Sequence, residues 1–328
     1  MNPRPSLYVD LHSHWLLNGH YLGRPLSRPR PDAVPYGPLG NRFDLEAARA
    51  GGVGCVAFTA YVPPSPLFWI SRARATLAQI GTFRRAVQAS GGRLRQVRTG
   101  AEARAAAGEG AVAGVLAIEG GHSLDGDPAR IDTFADLGVR LLTLVHMVAN
   151  PLGDAAESPV HPWGGLSPLG REVLHRMGRR HVIPDVAHLS DDGIRQVLDL
   201  HAGPVVSTHT GMRALVDRPR NLSDDMARGI ARSGGVAGII LFPPFLDARH
   251  LLRRPLSAFL DHVCHAAWVM GPDHVAVGSD MDGYTWTPAG IRDHGDWPRL
   301  AEGLADRGFT PAEADAILGG NALRVLDA

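Results

Sequence analysis

The sequence predicts an α/β fold, a closed (β/α)8 barrel of the TIM type, and three observations lead there. Eight short β-rich apolar runs recur along the 328 residues, amphipathic helical patterns lie between most of them, and metal-binding or proton-transferring residue types stand at the carboxyl ends of six runs. With 45% hydrophobic and 20% charged residues, the chain has material for one ordinary core. Residues 1–328 are therefore expected to form a single barrel domain, with loop excursions at about 15–52 and 149–168.

The runs are SLYVDLHSH (6–14), VGCVAFTAY (53–61), GVLAIEG (114–120), RLLTLVH (140–146), HVIPDVAH (181–188), GPVVSTH (203–209), GVAGIILFP (235–243) and HVAVGSD (274–280). Strands apolar along nearly their whole length need cover on both faces, which argues a parallel sheet, and eight such units argue closure. Among the helical patterns, SPLGREVLHRMGRR, SDDGIRQVLDLH and SDDMARGIARSGG open with Ser, and several of the patterns close at Gly, the expected capping residues. The first excursion is rich in Pro, Gly and Arg. The second, ANPLGDAAESPVHPWGGLSP (149–168), follows the fourth run, where long loops wall the mouth of such barrels.

Charge and hydropathy exclude several function classes. Lys plus Arg equals Asp plus Glu at 33 each, so there is no excess of basic residues for a nucleic-acid backbone. The start MNPRPSLYVDLHSH lacks the apolar run of a signal peptide, and no stretch reaches membrane-spanning length. The expectation is a cytoplasmic protein with neither a nucleic-acid nor a membrane partner. The two cysteines, Cys55 and Cys264, read as buried thiols rather than a disulfide. GGVGCV and SGGVAG lack the spacing of a phosphate loop, and Ser207 and Ser279 lack a nucleophile signature.

The 16 histidines separate by position. The first run ends in His12 and His14, and the later ones end in Glu119, His146, His188, His209 and Asp280. In a barrel these ends share one rim, so residues distant in sequence converge. His12 and His14 are two apart, so their side chains face the same way and both imidazoles reach one ion. Imidazole nitrogen and carboxylate oxygen without thiolate suit Zn2+, with Mn2+ or Fe2+ as alternatives, and Glu119 is placed to bridge two ions. His175, His181, His201, His250, His262, His265, His274 and His294 fall in helices, strand starts or loops and read as structural or solvent-exposed.

These residues, in this order, resemble the membrane (renal) dipeptidases, zinc metallopeptidases with an amidohydrolase-like barrel. The resemblance runs from about position 7 to 326 through VDLHSH, AIEGGHSL, LGVRLLTLVHMVANPLGD, GLSPLGREVL, IPDVAHLSDDGIRQVL, PVVSTHTGMRALVDRPRNLSDDMARGI, VAVGSDMDG and ILGGNALRVL. It implies two zinc ions, with His12 on the first, Glu119 bridging, and His188 with His209 on the second. It also implies that Asp280 moves the proton of the attacking water, His146 hydrogen-bonds the oxyanion and Arg220 grips the substrate's terminal carboxylate. The family commonly forms dimers, so a homodimer is implied as well.

One position departs from the pattern: the family usually carries Asp two residues after the first His, where this chain has His14. Two divalent ions, Glu119, Asp280 and one hydroxide sum to about +1, against about zero with that Asp. Such a centre holds its metals less tightly and acidifies its water more. The implied activity is hydrolysis of dipeptides, including ones with a D-residue at the carboxyl end. The alternatives are an amidohydrolase acting on a lactone, an N-acyl amino acid or a specialised metabolite amide, and a ligand-binding homologue without catalysis.

Overall fold

Strand and helix alternate throughout the described residues, 7–27, 42–63, 71–247, 255–283 and 286–328, of the computed structural model. The strands are β1 (Tyr8–Ser13), β2 (Val53–Tyr61), β3 (Leu94–Val97), β4 (Val112–Glu119), β5 (Val139–Thr143), β6 (Ile183–Asp185), β7 (Val206–Thr210), β8 (Val236–Ile239) and β9 (Val275–Val277). All pairings are parallel, in the order β1-β2-β4-β5-β6-β7-β8-β9, and a parallel bridge from Ser13 to Met281 joins the two ends. Each of the eight apolar runs overlaps one strand of this ring.

The ninth strand, β3, was not expected. It pairs with the first half of β4, from Leu94↔Val112 to Val97↔Val115, and β5 takes over the same edge from Leu116 onward. Its sequence LRQV is half polar and only its ends are buried, so it lacks the apolar signature of the ring strands.

Side-chain alternation builds two cores. Ala113, Val115 and Ala117 of β4 join one apolar cluster with Cys55, Leu141, Ile183, Val206, Val236 and Ala276. That cluster draws on every ring strand, so it fills the barrel interior. Val112, Leu116 and Ile118, of opposite parity, pack outward against the helices. Glu119 continues the inward parity and meets the mouth. At the opposite end, Asn321 Nδ2 donates to Pro272 O and Val275 O, both at 2.8 Å, and Leu323 enters the interior cluster, so the last helix closes the floor.

The expected caps are present. Ser167, Ser190 and Ser223 accept from the backbone N–H of Gly170, Gly193 and Met226 at the starts of helices Pro168–Arg179, Asp191–Leu200 and Asp224–Arg232. The 149–168 excursion folds around Asp154, whose carboxylate accepts from Trp163 N and Gly165 N, and Ala156 N donates to His188 O at 2.8 Å. That loop is thereby fixed to the mouth. Of the 15–52 excursion, Trp15–Tyr21 and Leu45–Ala50 are helical, while residues 28–41 lie outside the described residues. Asp282 holds the returning chain by accepting from Arg42 N and Phe43 N.

Both cysteines are free: Cys55 is buried as expected, but Cys264 is only half-buried on helix Leu256–Met270, a correction to the sequence reading. No helix among the described residues is long and apolar enough to cross a membrane.

Candidate metal centre

Strand register builds the mouth. Pairing puts Tyr61, Glu119, Thr143 and Asp185 in one row across β2, β4, β5 and β6. Around Glu119 the chain then assembles every metal ligand expected from the sequence. His12 Nε2 and His14 Nε2 lie 3.2 Å apart, and His188 Nε2 and His209 Nε2 lie 3.1 Å apart. Donor atoms about 2.0–2.1 Å from one tetrahedral cation sit roughly 3.3 Å from each other, so each pair has the spacing of two ligands on one ion.

The Glu119 carboxylate stands between the pairs. Oε1 lies 3.2 Å from His188, 3.5 Å from His209 and 3.6 Å from His12, while Oε2 lies 3.2 Å from His14 and 3.8 Å from His146. Asp280 Oδ1 is 3.2 Å from His14 and 4.0 Å from His12. His12, His14 and Asp280 form one compact donor group, and Glu119, His146 and His188 form another. His146 therefore stands among the potential ligand atoms as well as beside them.

Two of these residues are held in unusual backbone. His188 (φ 66°) and Asp280 (φ 55°) are both left-handed, as is Asp282 (φ 68°). Such conformations cost of order 1–3 kcal/mol each outside glycine and persist where surrounding contacts impose them. At both positions the side chain reaches the mouth, His188 Nε2 lying 3.2 Å from Glu119 Oε1 and Asp280 Oδ1 3.2 Å from His14 Nε2.

Electrostatics follow from burial. Burial holds His188 and His209 well below the ordinary imidazole range, with the Arg220 charge adding to it. His12 is lowered for the same reason, against the opposing pull of Glu119. His14 is the exception. Burial would lower it, but the Asp280 and Glu119 carboxylates, each 3.2 Å from its Nε2, raise it to about 10. Burial would raise Glu119, yet His146, His12 and His14 hold it well below the usual carboxylate range.

Arg220 is buried behind the centre. Its Nη2 donates to His209 O at 2.7 Å, and its Nε–H has no partner among the described residues. Its guanidinium lies 5.9 Å from the Phe245 ring. Tyr61 was missed by sequence reading because a tyrosine at a strand end carries no ligand signature. Its hydroxyl lies 3.2 Å from His146 Nδ1, and burial together with the Glu119 and Asp280 charges raises its pKa.

Two buried aspartates were missed as well, although both stand inside quoted motifs. Asp10 Oδ1 accepts from His12 N (3.1 Å) and Ser279 N (2.8 Å), and Asp10 Oδ2 accepts from Ser279 Oγ (2.5 Å). Asp185 repeats the pattern: Oδ1 accepts from Ala187 N (3.0 Å) and Thr208 N (2.9 Å), and Oδ2 from Thr208 Oγ1 (2.7 Å). Each aspartate thus clamps its own strand to the residue just before a mouth residue, Asp280 in one case and His209 in the other. An aspartate in an apolar strand was the available signal, since carboxylates are rarely buried without such partners.

The donor set fits divalent cations on its own chemistry. Nitrogen and oxygen donors without thiolate converge at ligand spacing, and Glu119 Oε2 is buried with no acceptably oriented hydrogen bond among the described residues. Fold and site together define a (β/α)8 barrel with a metal-binding centre at the carboxyl ends of its strands.

Comparison with known proteins narrows that class. Residues 32–328 match the family model of membrane dipeptidase, peptidase family M19, and the chain belongs to that family. An uncharacterized dipeptidase of Schizosaccharomyces pombe is 34% identical over 65% of this chain and 52% of its own length. Dipeptidase verJ of Clonostachys rogersoniana is 31% identical over 87% of this chain and 75% of its own. The chain spans about half the length of some of these relatives, 52% and 51% for two of them. Among solved structures, dipeptidase AC, a metallo peptidase of family M19, matches with TM-score 0.87 at 27% identity, covering 99% of this chain and 98% of that one. A Rhodobacter sphaeroides metallo peptidase liganded with a phosphinate mimic of the dipeptide L-Ala-D-Ala matches with TM-score 0.87 at 25% identity, covering 99% of both chains.

Proposed function

We propose that this chain is a zinc-dependent dipeptidase with two ions at its mouth. The observation that carries the reading is the convergence of His12, His14, His188, His209 and Asp280 on the two oxygens of Glu119, in a member of the membrane dipeptidase family. His12, His14 and Asp280 would hold one ion, His188 and His209 the other, and Glu119 both. When bound, such cations polarise a carbonyl and make water a nucleophile near neutral pH.

The chain's own residues supply the rest. Asp280 Oδ1 sits at the edge of the donor cluster, where a carboxylate accepts a proton from the attacking water and returns it to the leaving amine. His146 lies beside Glu119 and donates to the carbonyl oxygen as that atom gains charge. Arg220 has a buried guanidinium with N–H groups left over after its bond to His209 O, the requirement for gripping a free carboxylate. Dependence on that carboxylate makes dipeptides better substrates than longer peptides. The phosphinate dipeptide mimic bound to the Rhodobacter sphaeroides relative supports the substrate class.

The test is zinc content of the purified chain together with hydrolysis of L-Ala-L-Ala and L-Ala-D-Ala, beside tripeptides, N-acyl amino acids and lactones. Two equivalents of zinc and preferential dipeptide turnover are expected. Arg220→Ala is expected to lower kcat/KM by about 2 kcal/mol, or roughly 30-fold. Turnover of lactones or acyl amino acids in preference to dipeptides would replace this substrate assignment.

A further inference from the structure

One hydroxyl touches both halves of the centre. Thr208 Oγ1 lies 3.2 Å from His12 Nδ1, 2.9 Å from His209 Nδ1 and 2.7 Å from Asp185 Oδ2. The distances place His12, His209 and Asp185 close enough to resemble a third metal group, but the hydroxyl already fills its middle. A threonine hydroxyl has one proton and two lone pairs. Asp185 Oδ2, a carboxylate oxygen, can only accept, so it takes the proton. Both lone pairs then face imidazoles, and each imidazole must present Nδ1–H.

We infer that Thr208 is a positioning residue whose single hydroxyl, oriented by Asp185, sets the Nδ1–H tautomer of His12 and His209 together and so directs one Nε2 lone pair to each metal position. The inference rests on the two-ion reading above. The contrast within each pair supports it: His14 Nδ1 and His188 Nδ1 are buried with no hydrogen-bond partner among the described residues. Each pair therefore holds one imidazole oriented through Thr208 and one that is not.

Packing fixes the hydroxyl's position independently. A Cβ at Gly278 would stand 1.7 Å from Thr208 O, and one at Gly238 would stand 2.1 Å from it. Only glycine fits at either place, so the Thr208 backbone is wedged between β8 and the end of β9. Thr208 N is meanwhile held by Asp185 Oδ1. Neither the main chain nor the hydroxyl has freedom to turn.

The experiment uses the full chain with Zn2+ alone as probe. Thr208→Val keeps the shape and removes the hydroxyl, and zinc affinity measured against a competing chelator is expected to fall roughly 10–100-fold at both positions. Thr208→Ser, which restores the hydroxyl, is expected to stay within about threefold of the parent. On the metal-free protein, nitrogen-15 imidazole spectra should report His12 and His209 as Nδ1–H in the parent and in Thr208→Ser, and mixed tautomers in Thr208→Val. A purely structural threonine would move the melting temperature and leave the tautomers alone, and unchanged tautomers with unchanged affinity overturn the inference.

Asp185→Asn gives a second, independent reading. Its carbonyl oxygen must face the two backbone N–H groups, so its NH2 donates to Thr208 Oγ1 and the hydroxyl instead donates to one imidazole Nδ1, which must then carry no proton. One of the two tautomers should switch while the other holds, and two unmoved imidazoles overturn the inference. Because the spectra are recorded without metal, a chain that bound no zinc would refute the metal centre while the tautomer result still stood or fell by itself.

Discussion

Asp10 and Asp185 sit at two junctions of the same barrel, and their clamps are almost superimposable in kind. Each takes the N–H two residues onward, the N–H of a residue in or just past the adjoining strand, and the hydroxyl of that residue. They differ in the next partner. At Asp10 it is His294, whose Nε2 lies 2.7 Å from Oδ2 with both groups fully buried. At Asp185 it is the Thr143 hydroxyl at 2.5 Å. The hydroxyls differ too: Ser279 Oγ turns to backbone, accepting from Met281 N at 3.0 Å, whereas Thr208 Oγ1 turns to imidazoles. One clamp closes the ring of strands; the other faces two imidazoles of the mouth. The same carboxylate device serves fold or function according to what its hydroxyl faces.

The largest effect that would break this division is at Asp10. Asp10→Ala strands His12 N, Ser279 N and His294 Nε2 in a dry interior and leaves the Ser279 hydroxyl only the longer bond to His12 O, 3.3 Å. Removing one member of a buried polar group set of this size costs about 3–5 kcal/mol. Urea unfolding should show a lower midpoint with an unchanged slope. A loss under 1 kcal/mol, with zinc affinity lost instead, would assign Asp10 to the centre rather than to the closure.

A buried imidazole outside both clamps sharpens the contrast. His262 Nδ1 accepts from Met212 N at 2.8 Å and its Nε2 donates to Leu246 O at 3.1 Å, so it has backbone partners where His294 has a carboxylate. Burial lowers its pKa from 6.5 to about 4. The folded state thus binds fewer protons than the unfolded state between those values. His262 contributes its full stability above about pH 6.5, loses it as pH falls toward about 4, and changes little below that. The loss amounts to about 3 kcal/mol. Comparing the parent with His262→Gln across this range isolates it: the variant's stability should fall less steeply, and parallel curves would show that folding does not shift the His262 pKa.

Much of this architecture is legible in the amino-acid sequence alone. Periodicity exposed all eight ring strands, because parallel strands buried on both faces are apolar for their whole length. The residues that meet at the mouth were legible because imidazoles and carboxylates stood at strand ends. What escaped had no local pattern. β3 is half polar, and Tyr61 looks like any strand-end aromatic. Asp10 and Asp185 were hidden by their own motifs: in VDLHSH and IPDVAH attention falls on the histidines, while the partners Ser279 and Thr208 come from strands far along the chain. Such a clamp exists only once the barrel has closed, and its residues share no spacing.

The smallest predicted effect concerns Thr143, the further partner of Asp185. Thr143→Val removes one hydroxyl–carboxylate bond and leaves Asp185 with two backbone N–H groups and Thr208 Oγ1. A single hydrogen bond to a charged group contributes about 1.5–3 kcal/mol, and the low end applies where the carboxylate keeps three other donors, so the melting temperature should fall by a few degrees. Zinc affinity should move less than about threefold, because the hydroxyl that faces His12 and His209 is untouched. The variant separates two ways in which Asp185 acts on the centre. If its charge acted directly on the imidazoles, loosening it through Thr143 would weaken zinc as strongly as Thr208→Val does. If it acts by holding one proton on Thr208, the two variants diverge, with Thr143→Val affecting stability alone.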